Sequence, residues 1–248
     1  MKRIVFIILT FINLYANDLN VLKIHCGATM VHAIKDMSKI FERENNCTVI
    51  IKSGGSQDLY DSLKFLKNID LYLPGSPSYL EKNKKDGFFK KSVYIGYNQA
   101  VILVKKGNPK NITSLDSLTD KNIKTILCDP LSGSIGKMSK EILIKYKGEE
   151  FFKKAYAMTK LIAIDSRDIK EAFRKKEVDM AINWKASIYS CGIQKCVQAV
   201  AIDKKYAPRK KLMLTLLTFS KNQDLAKKFM EFATSERGKK IMKNSGFL

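Results

Sequence analysis

Between residues 21 and 75, short runs rich in β-branched residues alternate with longer stretches whose apolar residues recur every three or four positions. "VLKIHC" (21–26), "CTVIIK" (47–52) and "IDLYLPG" (69–75) have the length and composition of buried strands. Met30, Ala33, Ile34, Met37 and Phe41 mark one helix face between the first two strands. Leu59, Leu63 and Leu66 mark another between the second and third. Strand, helix, strand, helix, strand in so short a span implies parallel βαβ units with right-handed crossovers.

A short helix near Ser78–Lys85 follows, and then the pattern changes. "SVYIGYNQAVILVKKGNP" (92–109) is longer, alternates more and ends in a Gly-Asn-Pro turn, so an antiparallel segment crossing between two lobes is expected. A second α/β set comes next: "KTILCDP" (124–130), a helix over 137–147, "KLIAID" (160–165), a helix over 167–176 and "VDMAINW" (178–184). The strand "KLMLTLLTFS" (211–220) and a helix over 222–234 close the chain. The expected fold is α/β and two-lobed, each lobe a mainly parallel sheet flanked by helices, with a ligand cleft between them. Lobe 1 takes residues 17–98 and 205–248, and lobe 2 takes 99–204. Ligands of open α/β sheets bind at strand C-termini facing such a cleft.

The first residues, "MKRIVFIILTFINLYAND", place Lys2 and Arg3 before an unbroken apolar run and Ala16 before Asn17-Asp18. That is the form of a cleavable signal peptide over 1–16, which sends the remainder to the periplasm. The formal charge is +21, or +19 once Lys2 and Arg3 leave with the leader. Such an excess favours anionic partners. The lysines are scattered in ones, twos and threes ("KKDGFFKK", "FRKKE", "DKKYAPRKK") rather than gathered into a basic arm, and export argues against nucleic acid. The five cysteines match no zinc spacing and read as structural; Cys191 and Cys196 could close a small loop. The pairing among Cys26, Cys47, Cys128, Cys191 and Cys196 stays open.

The joints that follow the strands hold the chemistry. They read Gly27-Ala28-Thr29, then Ser53-Gly54-Gly55-Ser56-Gln57, then Pro74-Gly75-Ser76-Pro77-Ser78. In the second half they read Asp129-Pro130-Leu131-Ser132-Gly133-Ser134-Ile135-Gly136, then Asp165-Ser166-Arg167, then Asn183-Trp184. Each offers small residues, hydroxyls and a helix N-terminus, a set of neutral donors suited to an oxyanion that must later be released. Serine and threonine are also ordinary N-caps, which is the other reading of any single joint, and Ser56 is well placed as one. Trp184, the sole tryptophan, is either core or cleft wall. No Gly-x-Ser-x-Gly elbow, His-Glu-x-x-His pair or P-loop is present. His25 could act as a base near the cleft mouth, but no carboxylate or serine partner is evident for it. No catalytic residue, resident metal or cofactor is expected.

The order of these motifs resembles the periplasmic solute-binding proteins of ABC importers, specifically the molybdate/tungstate-binding family and its oxyanion-binding relatives. The resemblance runs through "GATMVHAIKDMSKIFERE", "IKSGGSQDLYDSL", "GYNQAVILVKKGNP" with "ITSLDSL", "LCDPLSGSIGK", "KEVDMAINW" and the closing "DLAKKFMEFATSERGKKIMKNSGF". It implies the type II periplasmic binding protein fold and a monomer that passes a small oxyanion to an inner-membrane permease. Carried over residue by residue, Thr29 and Ser56 match the two first-lobe hydroxyl positions, while Gly54 and Gly55 let amide groups approach the ligand. Gly133, Ser134 and Ile135 match the second-lobe loop, and Ser166 matches a backbone contact. Ser76, with Asp70, is a partial match in "YLPGSPSYL". Asn183 and Trp184 stand where molybdate binders usually carry a tyrosine. Phosphate, sulfate, a phosphorylated small acid or ferric ion remain open as cargo, the last through Tyr72, Tyr94, Tyr97 and Tyr189; an exported enzyme is the further alternative.

Overall fold

The computed structural model describes residues 20–189 and 193–247. The expected leader over 1–16, the next three residues and Cys191 lie outside them. The elements in order are β1 (Val21–Gly27), α1 (Val31–Asn45), β2 (Thr48–Gly54), α2 (Ser56–Phe65), β3 (Leu71–Leu73), α3 (Ser78–Lys82), β4 (Phe89–Asn98) and β5 (Ala100–Lys105). Then come β6 (Thr125–Cys128), α4 (Ser134–Ala157), β7 (Leu161–Ala163), α5 (Ser166–Arg174) and β8 (Met180–Trp184). β9 (Val197–Ala201), β10 (Lys210–Leu217), α6 (Gln223–Thr234) and α7 (Glu236–Asn244) complete the chain.

The strands form two five-stranded sheets, ordered β2-β1-β3-β10-β4 and β7-β6-β8-β5-β9. In the first, β2, β1 and β3 are parallel, while β10 runs antiparallel to both β3 and β4. In the second, β7, β6 and β8 are parallel, and β5 runs antiparallel to β8 and β9. Each sheet therefore has one reversed strand set among parallel ones. The long segment expected over 92–109 is two strands, β4 and β5, one in each sheet, parted at Gln99. The chain crosses between sheets there and again between β9 and β10.

Each sheet has its own core, because each helix buries one apolar stripe. In the first, Ile34, Met37 and Phe41 of α1 pack with Leu22 and Ile24 of β1, Leu214 of β10 and Phe229 of α6. Phe41 and Phe229 meet edge to face at 5.0 Å. In the second, Leu103 of β5, Leu127 of β6, Ile142 and Leu143 of α4 and Ile182 of β8 do the same. A smaller cluster under α2 joins Leu59, Tyr60 and Leu63 to Tyr72. Leu66 is not part of it: α2 ends at Phe65, and Leu66 takes up a non-helical φ/ψ and is exposed.

Several boundaries depart from the sequence reading. α4 starts three residues before Lys137 and continues past Lys147 to Ala157, through a break where Gly148 adopts φ 86°. A glycine can take that conformation without a Cβ penalty, so the two helical pieces join at an angle. The third strand pairs only over Leu71–Leu73. β9 has no counterpart in the sequence reading. Cys26, Cys47, Cys128 and Cys196 are free thiols. Burial pushes the Cys128 thiol up to about 12, and its Sγ donates to the Ile164 carbonyl at 3.0 Å. It acts as a packed side chain, as does Cys26, whose thiol complete burial also raises.

Candidate functional site

Register brings the strand ends together. Gly27 of β1 pairs with Gly54 of β2, and Cys26 pairs with Leu73 of β3, so three joints leave the first sheet side by side. In the second sheet Cys128 pairs with Ala163, which sets the loops 129–133 and 164–165 side by side. The two groups of joints face each other around a small cavity of about 10 Å³, roughly the room of one water molecule. Thr29, Gly55, Ser56, Ser134, Ile135 and Ser166 line it, together with Gly54, Gly75, Gly133 and Asp165.

Helices α2, α4 and α5 begin at this cavity, at Ser56, Ser134 and Ser166. Ser56 and Ser134 are not N-caps. The caps are Gly55 and Gly133, both extended, and neither helix start has a side-chain cap hydrogen bond. Glycine at those positions leaves the first-turn amides without a side-chain acceptor, and the helix ends favour negative charge. The serine hydroxyls are engaged elsewhere. Ser56 Oγ accepts from the Gly75 amide at 3.1 Å, and Ser134 Oγ accepts from Trp184 Nε1 at 3.2 Å. Only α5 is capped from within, by Asp165 accepting from the Arg167 amide.

The two lobes touch directly across the cavity. Thr29 Oγ1 donates to Ser166 Oγ at 3.1 Å, and Ser166 Oγ donates to Asn183 Oδ1 at 2.7 Å. Asn183 Oδ1 also accepts from the Trp184 amide at 2.8 Å. At the rim, the Gln57 amide donates to the Ser132 carbonyl at 3.2 Å, and Ser132 Oγ donates to Asp58 at 2.8 Å. Arg167 reaches the Ser53 carbonyl at 3.3 Å. The arrangement is closed, with hydroxyls from opposite lobes satisfying each other. An arriving acceptor would take over those donors.

Asp165 is the one carboxylate in the lining and is 3 % exposed. Arg167 Nε holds both its oxygens at 3.0 Å and Nη2 one of them at 2.6 Å, so the pair brings no net charge to the cavity. No lysine or arginine lines the space.

Ser76, Asn183 and Trp184 stand outside the lining. Ser76 bonds Ser78 Oγ at 3.1 Å at the start of α3. Asn183 and Trp184 are fully buried at the end of β8, where they hold Ser166 and Ser134 in place; Trp184 is core rather than cleft wall. Asn183 Nδ2 and Asn98 Oδ1 are buried without a hydrogen-bond partner among the described residues. Gly75 escaped the sequence reading as a site residue. Its importance is steric, and a glycine after a Pro-containing joint gives no signal of what lies opposite. His25 does not face the cavity. It is 1 % exposed and bonds the Leu59 carbonyl and Ser62 Oγ at 3.3 Å each, and burial lowers its pKa to about 4. The tyrosines Tyr72, Tyr94, Tyr97 and Tyr189 do not gather at the site: Tyr72 donates to the Ser56 carbonyl, and Tyr94 packs on Tyr97. Among the described residues no cluster of His, Cys, Asp and Glu could hold a metal ion.

The sequence profile of the bacterial extracellular solute-binding proteins matches residues 22–248. The chain belongs to that family. Its fold is the two-lobed periplasmic binding protein fold, as solved relatives show. The molybdate-binding protein of Azotobacter vinelandii superposes with a TM-score of 0.78 at 13% identity, covering 92% of this chain and 98% of that one. PEB3 of Campylobacter jejuni with bound L-phospholactate gives 0.73 at 18% identity, covering 91% and 98%. Iron-bound HitA of Pseudomonas aeruginosa gives 0.70 at 18% identity, covering 90% and 84%. No curated protein matches the sequence. As a member of the solute-binding family the chain has a small-molecule ligand and an ABC permease for partner. Among the described residues no helix is long and apolar enough to cross a membrane.

Within this solute-binding protein, Ser56→Ala removes the acceptor of the buried Gly75 amide and one hydroxyl of the lining. The expected cost is about 1–3 kcal/mol in ligand affinity, read by calorimetric titration. Unchanged affinity would take Ser56 out of the site.

Proposed function

We propose that this solute-binding protein captures a small tetrahedral oxyanion between its lobes and delivers it to an ABC permease from the periplasm, acting as a monomer. One observation carries the reading: three helix N-termini and the hydroxyls of Thr29, Ser56, Ser134 and Ser166 converge on one cavity that no cationic side chain enters. Neutral, preoriented donors replace the hydration of an oxyanion bond for bond. They also release it more readily than a lysine clamp would. Thr29, Gly55, Ser56, Ser134, Ile135 and Ser166 are the binding residues, and Asn183 and Trp184 support them. Two of the structural relatives are named for ligands with a tetrahedral oxyanion, molybdate and the phosphoryl group of phospholactate. Ferric ion is the less favoured cargo, since among the described residues no cluster of His, Cys, Asp and Glu could hold a metal ion.

The test is a thermal-shift panel of molybdate, tungstate, sulfate, phosphate, a phosphorylated small acid and ferric citrate. A ligand present at about 100 times its Kd adds about 2.7 kcal/mol, a visible rise in Tm. An anion is expected to give that shift. Silence across the anions, or a shift with ferric citrate alone, would overturn the reading.

A further inference from the structure

Beside the cavity, the second lobe grips a single joint of the first. That joint runs from Ser53, near the end of β2, to Asp58 in the first turn of α2. Ser132, in the loop before α4, holds it at two points. Its carbonyl accepts from the Gln57 amide at 3.2 Å, and its hydroxyl donates to Asp58 Oδ2 at 2.8 Å. Arg167, in the first turn of α5, holds it at a third, donating through Nη1 to the Ser53 carbonyl at 3.3 Å. Ser53, Gln57, Asp58, Ser132 and Arg167 all lie outside the cavity lining. The grip is made by one lobe on the other, not on what lies between them.

The joint is shaped to admit it. A Cβ on Gly55 would lie 3.0 Å from both the carbonyl oxygen and the Oγ of Ser132, and 2.6 Å from Asp58 Oδ2. Gly54 is approached in the same way, with Arg167 Nη2 3.9 Å from the place of its missing Cβ. Residues without side chains let the opposite lobe come this close. The Gln57 amide is one of the first-turn donors of α2, and in this arrangement it goes to Ser132 rather than to the cavity. Each of the three bonds joins the two lobes, so parting the lobes breaks all of them.

We infer that Ser132 and Asp58, with Arg167, form a latch that sets how long a ligand is held. They are positioning residues, acting on closure of the lobes and not on the ligand. The inference rests on the oxyanion reading given above and adds to it a control over release. A latch of this kind is blind to the identity of the cargo. It slows the departure of every anion that fits by the same factor, and it has little part in capture, which takes place with the lobes apart.

The experiment follows association and release of molybdate, sulfate and phosphate by stopped-flow, through the fluorescence of Trp184, the sole tryptophan. Ser132→Ala is expected to speed release about tenfold, the worth of one hydroxyl–carboxylate hydrogen bond, and to change association by less than about threefold. The factor should be the same for each anion that binds. Ser132→Thr keeps the hydroxyl and should keep the wild-type rate. In an Asp58→Ala background, Ser132→Ala should change release by less than about threefold, because the acceptor is already gone; comparing within that background also cancels the effect of the lost charge. Unaltered release in Ser132→Ala, or the full tenfold effect persisting without Asp58, would overturn the latch and leave the cavity reading standing. A factor that differs between anions would overturn it too, by placing Ser132 on the ligand. Failure of all three anions to bind the wild-type protein, together with an unaltered Tm in the anion panel, would remove the cavity reading and the latch with it.

Discussion

Gly75→Ala is expected to lower oxyanion affinity about a hundredfold while leaving each lobe folded. A Cβ at this position would lie 2.2 Å from Ser134 Oγ and 3.0 Å from Ser134 Cβ, both on the opposite lobe. The hydroxyl can rotate away, but the β-carbon is fixed to the first turn of α4 and cannot. The added methyl acts as a wedge between lobes, where Gly75 also accepts from Asn98 and donates to Ser56. With the lobes held apart, the donors carried by Ser134 and Ser166 no longer reach an anion seated on the first lobe. Losing two such hydrogen bonds costs about 3 kcal/mol, about a hundredfold in Kd. Titration measures the affinity, and small-angle scattering measures the opening. Wild-type affinity in the variant would show that the lobes need not meet here for binding.

The second large effect is on stability in acid. His25 is buried beside α2, and its Nδ1–H donates to the Leu59 carbonyl. Burial, with Lys52 nearby, lowers its pKa from 6.5 to about 4. The unfolded chain takes up a proton on this imidazole near pH 6.5, whereas the folded chain resists until about pH 4. Between these values the unfolded state binds more protons, so stability falls as pH falls. The contribution is fully present above about pH 6.5 and is gone below about pH 4, with a span of up to about 3 kcal/mol. His32, half-buried on α1 and also lowered by burial, acts in the same direction. Denaturant unfolding at pH 7.5 and pH 4.5 is the measurement. His25→Gln should flatten the difference; an equally steep decline in the variant would place the acid sensitivity elsewhere.

Much of this architecture could be read from the residues. The alternation of β-branched runs with 3–4 apolar spacing placed β1 and β2 within two residues and a helix after each, because each helix buries a single clear stripe. The crossing segment at 92–109 was visible as a change of period. What escaped is instructive. "EEFFKKAYA" has too many charges to look like the second half of α4, and tertiary packing of Phe152 and Ala155 decides its state. "VQAVA" is a strand only because β5 offers it an edge. At the site, the hydroxyls were legible as residue types at strand ends. Which atoms they would bond was not. Ser56 looked like a cap, yet the cap is Gly55, and its hydroxyl belongs to Gly75 nineteen positions away. Contacts between lobes, such as Thr29 with Ser166, leave no local trace because the chain is folded across them.

The place of β10 has a consequence for how the protein is made. This strand, residues 210–217, lies between β3 and β4 and is, among the described residues, the only neighbour of β4 in its sheet. A chain emerging from its N-terminus therefore carries β4 as an unpaired edge until residues 210–217 appear. The other sheet draws all its strands from residues 100–201 and can be complete before that point. Pairings of long sequence separation form slowly. The first lobe thus completes its sheet later than the second, once residues 210–217 have joined it.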